Sequence, residues 1–91
     1  MSRTPRPQPA ELAPGWPGTL STDPAGEAAR QFALRLRDAI GDDSIRSVAR
    51  SAGLSHVTLL GYLNGSTWPD LYAIARLETA LGVPLKTGQK R

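Results

Sequence analysis

Two arginines and the one histidine lie in a stretch of the chain that contains no acidic residue. Arg46, Arg50 and His56 all fall between Ser44 and Pro69, where Asp and Glu are absent. An arginine guanidinium binds phosphate through a planar set of N–H donors, and a surface without carboxylates does not repel a polyanion. The chemistry of this stretch therefore favours contacts to phosphate groups.

The other polar residues offer little support for catalysis or metal binding. The chain has a single histidine and no cysteine, which leaves too few ligands for a typical zinc site. The paired acids Asp42 and Asp43 are more typical of a solvated turn or a helix cap than of an active site. We therefore predict no enzymatic activity, no metal and no cofactor.

Composition indicates one small domain with a mild basic excess. The 91 residues carry a net charge of +3 and a pI near 10.0, which alone is weak support for a nucleic-acid partner. No apolar run reaches the ~20 residues of a membrane span. No hydrophobic segment follows Arg3 and Arg6 as it would in a signal peptide. Together with the absence of cysteine, these features predict a cytoplasmic protein without a membrane partner.

Apolar residues recur at helical spacing in four segments, and a capping or opening residue marks the start of each. A Ser or Asp cap accepts hydrogen bonds from the N–H groups that the first helical turn leaves unpaired. Neither a strand pattern nor an internal repeat is present. The predicted helices are 24–40 after Asp23, 45–52 after Ser44, 56–64 after Ser55, and a fourth that Pro69 opens and Gly82 ends.

The same spacing predicts which residues face the core. Gly53 supplies the positive φ needed for a tight stop between the second and third helices. The predicted inward residues are Ala29, Phe32, Ala33, Leu36 and Ile40, then Ile45, Val48, Ala49 and Ala52, then Leu59, Tyr62 and Leu63, and finally Leu71, Ile74, Leu77 and Leu81.

The two ends of the chain differ in composition from the 23–85 body. Residues 1–22 are rich in proline and poor in apolar side chains, so we predict a disordered, flexible arm there. Trp16 is unusual in such a segment, and docking of this residue on the body is the alternative. Arg3 and Arg6 would be solvated or, alternatively, would enter a minor groove of DNA. Residues 86–91 are predicted to form a basic tail.

The central motif resembles the helix-turn-helix of the Cro/phage-repressor family, also called the xenobiotic-response-element family. Ala49 lies four residues before Gly53, where two crossing helices leave room only for a small side chain. The sequence NGSTWP resembles the family's asparagine-glycine turn and the proline that follows it. The resemblance covers about residues 30–85 and also rests on Val48, Ala52, Leu54, Leu59 and Tyr62, and on Pro69, Leu71, Ile74, Leu77, Ala80, Leu81, Gly82 and Val83.

This resemblance implies an all-α fold, a compact four- to five-helix bundle of the lambda-repressor-like DNA-binding type. In such proteins the third helix enters the major groove and its N-terminal residues meet base edges. The corresponding base-reading positions are His56, Val57 and Gly61, and Leu60 is a further candidate. The candidates for phosphate contact are Ser55, Thr58, Asn64, Ser66 and Thr67, together with Arg46 and Arg50, which follow from the residues alone.

The reading positions depart from the family pattern, in which Gln, Arg, Ser or Asn usually stand. An aliphatic Val57 can contact a thymine methyl, and the imidazole of His56 can donate to guanine N7. Alternatively, Val57, Leu60 and Leu63 pack on a protein partner. Because the motif lacks acids, DNA is the favoured partner.

We therefore predict a sequence-specific, DNA-binding transcriptional regulator, a repressor of the phage-immunity or bacterial type that acts by occlusion. The alternative is an accessory or antitoxin-like interaction module. Weak homodimerisation, completed on double-stranded DNA, is expected, with a monomer as the alternative.

Overall fold

The structure, a computed structural model, describes residues 6–85 and consists there of helices joined by short turns. A short 3₁₀ helix, Pro9–Leu12, is followed by the four helices of the bundle. No strand occurs within residues 6–85, which confirms the all-α prediction, and no helix in this range is long and apolar enough to cross a membrane. The helices are α1 (Pro24–Ile40), α2 (Ile45–Ala52), α3 (His56–Asn64) and α4 (Leu71–Leu81).

Side-chain caps determine where the first three helices begin. The Asp23 carboxylate accepts hydrogen bonds from Ala25 N and Gly26 N at 2.8 and 3.0 Å. Ser44 and Ser55 cap α2 and α3 in the same way, with bonds of 2.9 and 3.1 Å. Each cap gives a partner to an N–H group that has none inside its helix. The predicted bounds of α1, α2 and α3 are therefore confirmed.

The start of α4 differs from the prediction. The helix begins at Leu71 because Asp70 caps it, accepting a hydrogen bond from Ala73 N at 2.8 Å, and Pro69 lies outside the helix. Ala73 and Leu77 form the buried line of α4, with Ile74 and Leu81 half-buried. Leu71 is 73% exposed, not inward as predicted, because two residues of a helix turn through roughly 200° and carry it away from Ala73.

The four helices enclose one apolar core. Leu36, Leu59 and Leu77, from α1, α3 and α4, are fully buried at its centre. The rings of Phe32 and Tyr62 meet edge to face, with centroids 6.0 Å apart, and burial together with the nearby Asp70 raises the pKa of the Tyr62 hydroxyl. Because such cores are close-packed, they hold α2 and α3 in one relative orientation.

The segment before α1 packs against the bundle. Pro9 and Ala13 are buried, and the Trp16 indole N–H donates to the Leu63 carbonyl at 2.8 Å. Arg30 on α1 donates to the Pro17 carbonyl at 3.1 Å. The predicted flexible arm is therefore wrong for residues 6–22, and the alternative, docking of Trp16, is what the structure has. The composition of this segment predicted disorder because its apolar residues form no repeating pattern. One large aromatic side chain supplies the burial that such a pattern would otherwise provide.

A carboxylate on α1 joins this segment to the helix. Glu27 accepts hydrogen bonds from Arg30 at 2.7 Å, from Gln31 at 2.8 Å and from Ser21 N at 2.8 Å. The bonds from Arg30, Gln31 and Ser21 stabilise the carboxylate and lower the pKa of Glu27 to about 2. Glu27 thus holds the chain just before α1 against the first turns of that helix.

We expect deletion of residues 1–20 to destabilise the protein, since it removes buried Pro9 and Ala13 as well as the Trp16 contact. Trp16→Ala alone should lower the free energy of unfolding by roughly 2–3 kcal/mol, below the range for a fully buried tryptophan. Urea denaturation followed by circular dichroism measures both changes. Leu20→Ala is the control, because Leu20 lies in the same segment and is 71% exposed. Equal unfolding midpoints for Trp16→Ala and the control would contradict the docking.

Acid should weaken the fold through Glu27. Its folded-state pKa of about 2 lies below the ordinary value of 4.5. The carboxylate therefore stabilises the fold fully above about pH 4.5, and that stabilisation is lost as the pH falls towards about 2. Glu27→Gln should be less stable at neutral pH and should lose less stability over this window, as measured by denaturation at a series of pH values. Asp38→Asn, an exposed change on α1, should keep the wild-type slope.

Candidate nucleic-acid interface

A tight turn fixes α3 against α2. Gly53 ends α2 in the left-handed region, with φ of 74°, and its N–H donates to the Arg50 carbonyl at 3.1 Å. The next amide, Leu54 N, donates to the Ala49 carbonyl at 2.9 Å. Ala49 is almost fully buried, so α3 can approach α2 closely. The result is a rigid pair of helices with Ser55 at the start of the second.

The outer face of α2 is cationic. Arg46 and Arg50 are both exposed, and neither side chain makes an ion pair within residues 6–85. The one ion pair in that part of the chain is Glu27–Arg30. The guanidinium groups of α2 can therefore bind an external anion without first breaking an internal contact.

The first turn of α3 offers further donors. Ser55 Oγ accepts from Thr58 N at 3.1 Å and donates to Thr58 Oγ1 at 2.9 Å. The amides of His56 and Val57 find no acceptor within the described range 6–85. Open N–H groups and the positive end of the helix dipole favour an anion at this position. Arg50, in the last turn of α2, and these amides, in the first turn of α3, thus lie on either side of the turn between the two helices, whereas Arg46 lies at the start of α2.

The predicted reading residues occupy different environments. Val57 is 67% exposed and Asn64 is exposed, whereas His56 is half-buried. Leu60 is also half-buried and lines a groove of about 340 Å³ between α3 and the α1–α2 loop. Val57 and Asn64 therefore present the accessible outer face of α3, with Leu60 at its edge.

Gly61, predicted to read bases, is buried beneath the turn that follows α3. A Cβ atom on Gly61 would lie 3.0 Å from Thr67 Cβ and still closer to Thr67 Oγ1. The amides of Ser66 and Thr67 both donate to the Gly61 carbonyl, at 3.0 and 3.3 Å. The absence of a side chain at Gly61 thus makes room for the turn, and the assignment of Gly61 as a reading residue is corrected. Ser66 and Thr67, the predicted phosphate ligands, are exposed above it.

The end of α3 is held by residues that the motif analysis did not assign to the site. Ala10 N donates to the Gly65 carbonyl at 2.8 Å, and the Trp68 indole N–H donates to the Pro7 carbonyl at 2.7 Å. Trp16 lies directly on Gly65. The only sequence signal for these contacts was that Trp16 and Trp68 each precede a proline. Residue spacing alone does not show which groups the two tryptophans contact. Arg6 is exposed next to Pro7, and Arg3 lies outside the described residues, as does the predicted 86–91 tail.

The bundle and its two-helix motif are those of the helix-turn-helix class of proteins. A family model described as helix-turn-helix matches residues 35–87, more than half of the chain. The chain belongs to this family, the Cro/phage-repressor type of helix-turn-helix regulator, whose members bind DNA. No curated protein matches the sequence significantly. Residues 6–34, including the docked segment, lie outside the match.

Proposed function

We propose that this protein is a sequence-specific transcriptional repressor that places α3 in the major groove of double-stranded DNA. One observation carries the proposal: residues 44–69, which contain no acidic residue, hold two exposed arginines on α2, Arg46 and Arg50, with no ion pair within residues 6–85, and the open amides of His56 and Val57 at the start of α3. Phosphate contacts of this kind supply much of the affinity of DNA-binding proteins.

The proposed complex divides its contacts by role. Arg46, Arg50, Ser55 and Thr58 contact phosphates on either side of the helix turn. Asn64 and Ser66 contact the backbone near the other end of α3. Phosphate contacts fix the register of a protein on the duplex without reading its sequence.

Few side chains remain to read bases. Val57 contacts a thymine methyl, and His56 donates to a guanine acceptor. Leu60, at the edge of the face, contacts a sugar or a second methyl. With so few base contacts, affinity depends strongly on salt and sequence preference is modest.

Repression follows from occupancy, because a protein bound in the groove excludes other proteins from the same DNA. Two copies on half-sites about one helical turn apart would raise the affinity of such a small module. The exposed Leu71 and Tyr72 of α4 offer apolar surface for weak pairing of the two copies. A cytoplasmic location in a bacterial or phage-infected cell fits this role.

A second candidate function is binding of a protein partner. It is favoured by the 67% exposure of Val57 next to the groove that Leu60 and Leu63 line. An apolar helix inserted into this groove would cover Val57 and Leu60. The partner would then be a protein, and α3 would not enter DNA.

Loss of the cations should weaken binding to all DNA sequences alike. Arg46→Ala and Arg50→Ala should each flatten the slope of log affinity against log salt by about 0.9, since each removes one phosphate contact. Fluorescence titration of specific and random duplexes at several salt concentrations measures this. Arg35→Ala is a control of equal charge, because exposed Arg35 lies on α1 outside the motif. Unchanged slopes for both α2 variants would show that these arginines do not contact phosphate.

Selection of random duplexes, followed by sequencing, tests the whole proposal. Wild type should recover a motif, and Val57→Ala should lose about 1 kcal/mol of specific affinity and relax one position of it. Its folding should hardly change, because Val57 is exposed.

The protein-partner alternative predicts the reverse result. Leu60→Glu would then abolish association in sedimentation experiments, and Val57→Ala would leave the preferred DNA sequence unchanged. Since Leu60 is half-buried, thermal unfolding must first show that this variant is folded. No recovered motif for wild type, together with a bound protein, would replace the DNA proposal by this alternative.

A further inference from the structure

The outer face of α3 lacks a side chain at its middle position. Val57, Gly61 and Asn64 lie on this face at i, i+4 and i+7 spacing. Val57 and Asn64 are exposed, whereas Gly61 is buried. A helix that enters a groove with this face would leave a gap between its first and last turns unless another residue filled it.

Thr67 fills that position. Its Cβ lies 3.0 Å from where a Cβ atom on Gly61 would stand and its Oγ1 lies closer still, so Thr67 occupies the space of a side chain there, and Thr67 itself is exposed. The amide of Thr67 donates to the Gly61 carbonyl at 3.3 Å, and the neighbouring Ser66 N donates to the same oxygen at 3.0 Å. These bonds fold the chain back over α3, so a threonine from the following turn stands on the helix face.

The turn is held from the other side by the N-terminal segment. Gly65 has φ of 78°, and a Cβ there would lie 2.7 Å from Trp16 Cε2 and 2.8 Å from Ala10 Cβ. Ala10 N donates to the Gly65 carbonyl, and Trp16 donates to the Leu63 carbonyl, both at 2.8 Å. Gly65, two residues before Thr67, is therefore enclosed by Trp16 and Ala10.

We propose that Thr67 reads a base edge in place of the side chain missing at Gly61, and that Trp16 is the positioning residue that keeps the turn over α3. The inference rests on the proposed DNA-binding function. A threonine hydroxyl both donates and accepts, and its methyl group can contact the methyl of thymine. Thr67 thus adds a base position beyond those that His56 and Val57 reach.

The geometry favours a base over a phosphate as the partner of Thr67. The groove-facing surface of α3 is the one that carries Val57, and Thr67 is placed on it through Gly61. Ser66, the next residue back, has its hydroxyl 3.5 Å from the Gly61 carbonyl and provides a matched comparison in the same turn. Trp16 is half-buried with its N–H bonded to Leu63, so it acts on DNA only through the turn.

The test combines selection of random duplexes with salt titration for Thr67→Val, which keeps the shape and removes the hydroxyl. We expect relaxed preference at one base position and roughly a five- to tenfold loss of affinity for the preferred site, the low end for a base contact. Affinity for random duplex and the salt slope should stay at the wild-type values, because no phosphate contact is lost. Ser66→Ala, which removes a proposed backbone contact, should instead weaken binding to preferred and random duplexes alike and select the wild-type motif. Thr67→Ser, which keeps the hydroxyl, should retain part of the preference.

Two results would overturn the role of Thr67. Weaker binding of Thr67→Val to every sequence, with a flatter salt slope, would make it a phosphate ligand. A wild-type motif and wild-type affinity would show that it does not touch DNA. Thermal unfolding confirms that each variant is folded at the assay temperature.

Trp16→Phe, which keeps a ring but removes the N–H donor, tests the positioning role. We expect it to relax the same base position as Thr67→Val and to speed amide hydrogen exchange at Ser66 and Thr67. A lowered melting temperature with an intact motif and unchanged exchange would make Trp16 a stabilising residue only. If wild type recovers no motif, the proposed function itself fails. If wild type recovers one and Thr67→Val recovers the same, only the inference fails.

Discussion

The left-handed turn at Gly65 is the constraint on which the binding end of the molecule depends. It ends α3, lies under the Trp16 ring, and directs Ser66 and Thr67 back towards Gly61. A side chain at Gly65 would require both an unfavourable φ and a shift of the indole. Helix, turn and N-terminal segment therefore cannot adjust independently, and a change in one of them alters the surface that the other two present.

The acidic residues of this protein lie outside the helix-turn-helix motif, and two of its arginines lie within it. The acidic residues near the motif, Asp42, Asp43 and Asp70, lie in the turns before α2 and α4, where Asp70 caps a helix. The motif itself is free of acids. In the proposed complex its arginines would therefore attract phosphate over a distance of several ångströms, whereas only a few side chains would touch bases. Association with DNA and selection among DNA sequences would thus depend on different residues.

Local signals in the sequence predicted α1, α2, α3 and the helix turn between the last two, because Asp23, Ser44 and Ser55 cap their helices through bonds within three residues. The start of α4 was missed because Asp70 takes the capping role next to a proline that also opens helices. The sequence supports docking of Trp16 only as an alternative, since its partner Leu63 lies 47 residues away and local spacing does not pair the two residues. The burial of Gly61 was not predicted for a different reason: a missing side chain does not reveal which neighbour occupies its place.

The N-terminal segment, which lies outside the family match, stabilises the small helical body. A body of about 60 residues buries only about 60% of the surface that its unfolded chain exposes and is marginally stable alone. Pro9 and Ala13 add buried apolar surface, and Trp16 packs on Gly65 at the end of α3. Stability gained at this position also orders the turn that carries Thr67. The contacts that stabilise this small domain would therefore also fix the position of Thr67 in the proposed complex with DNA.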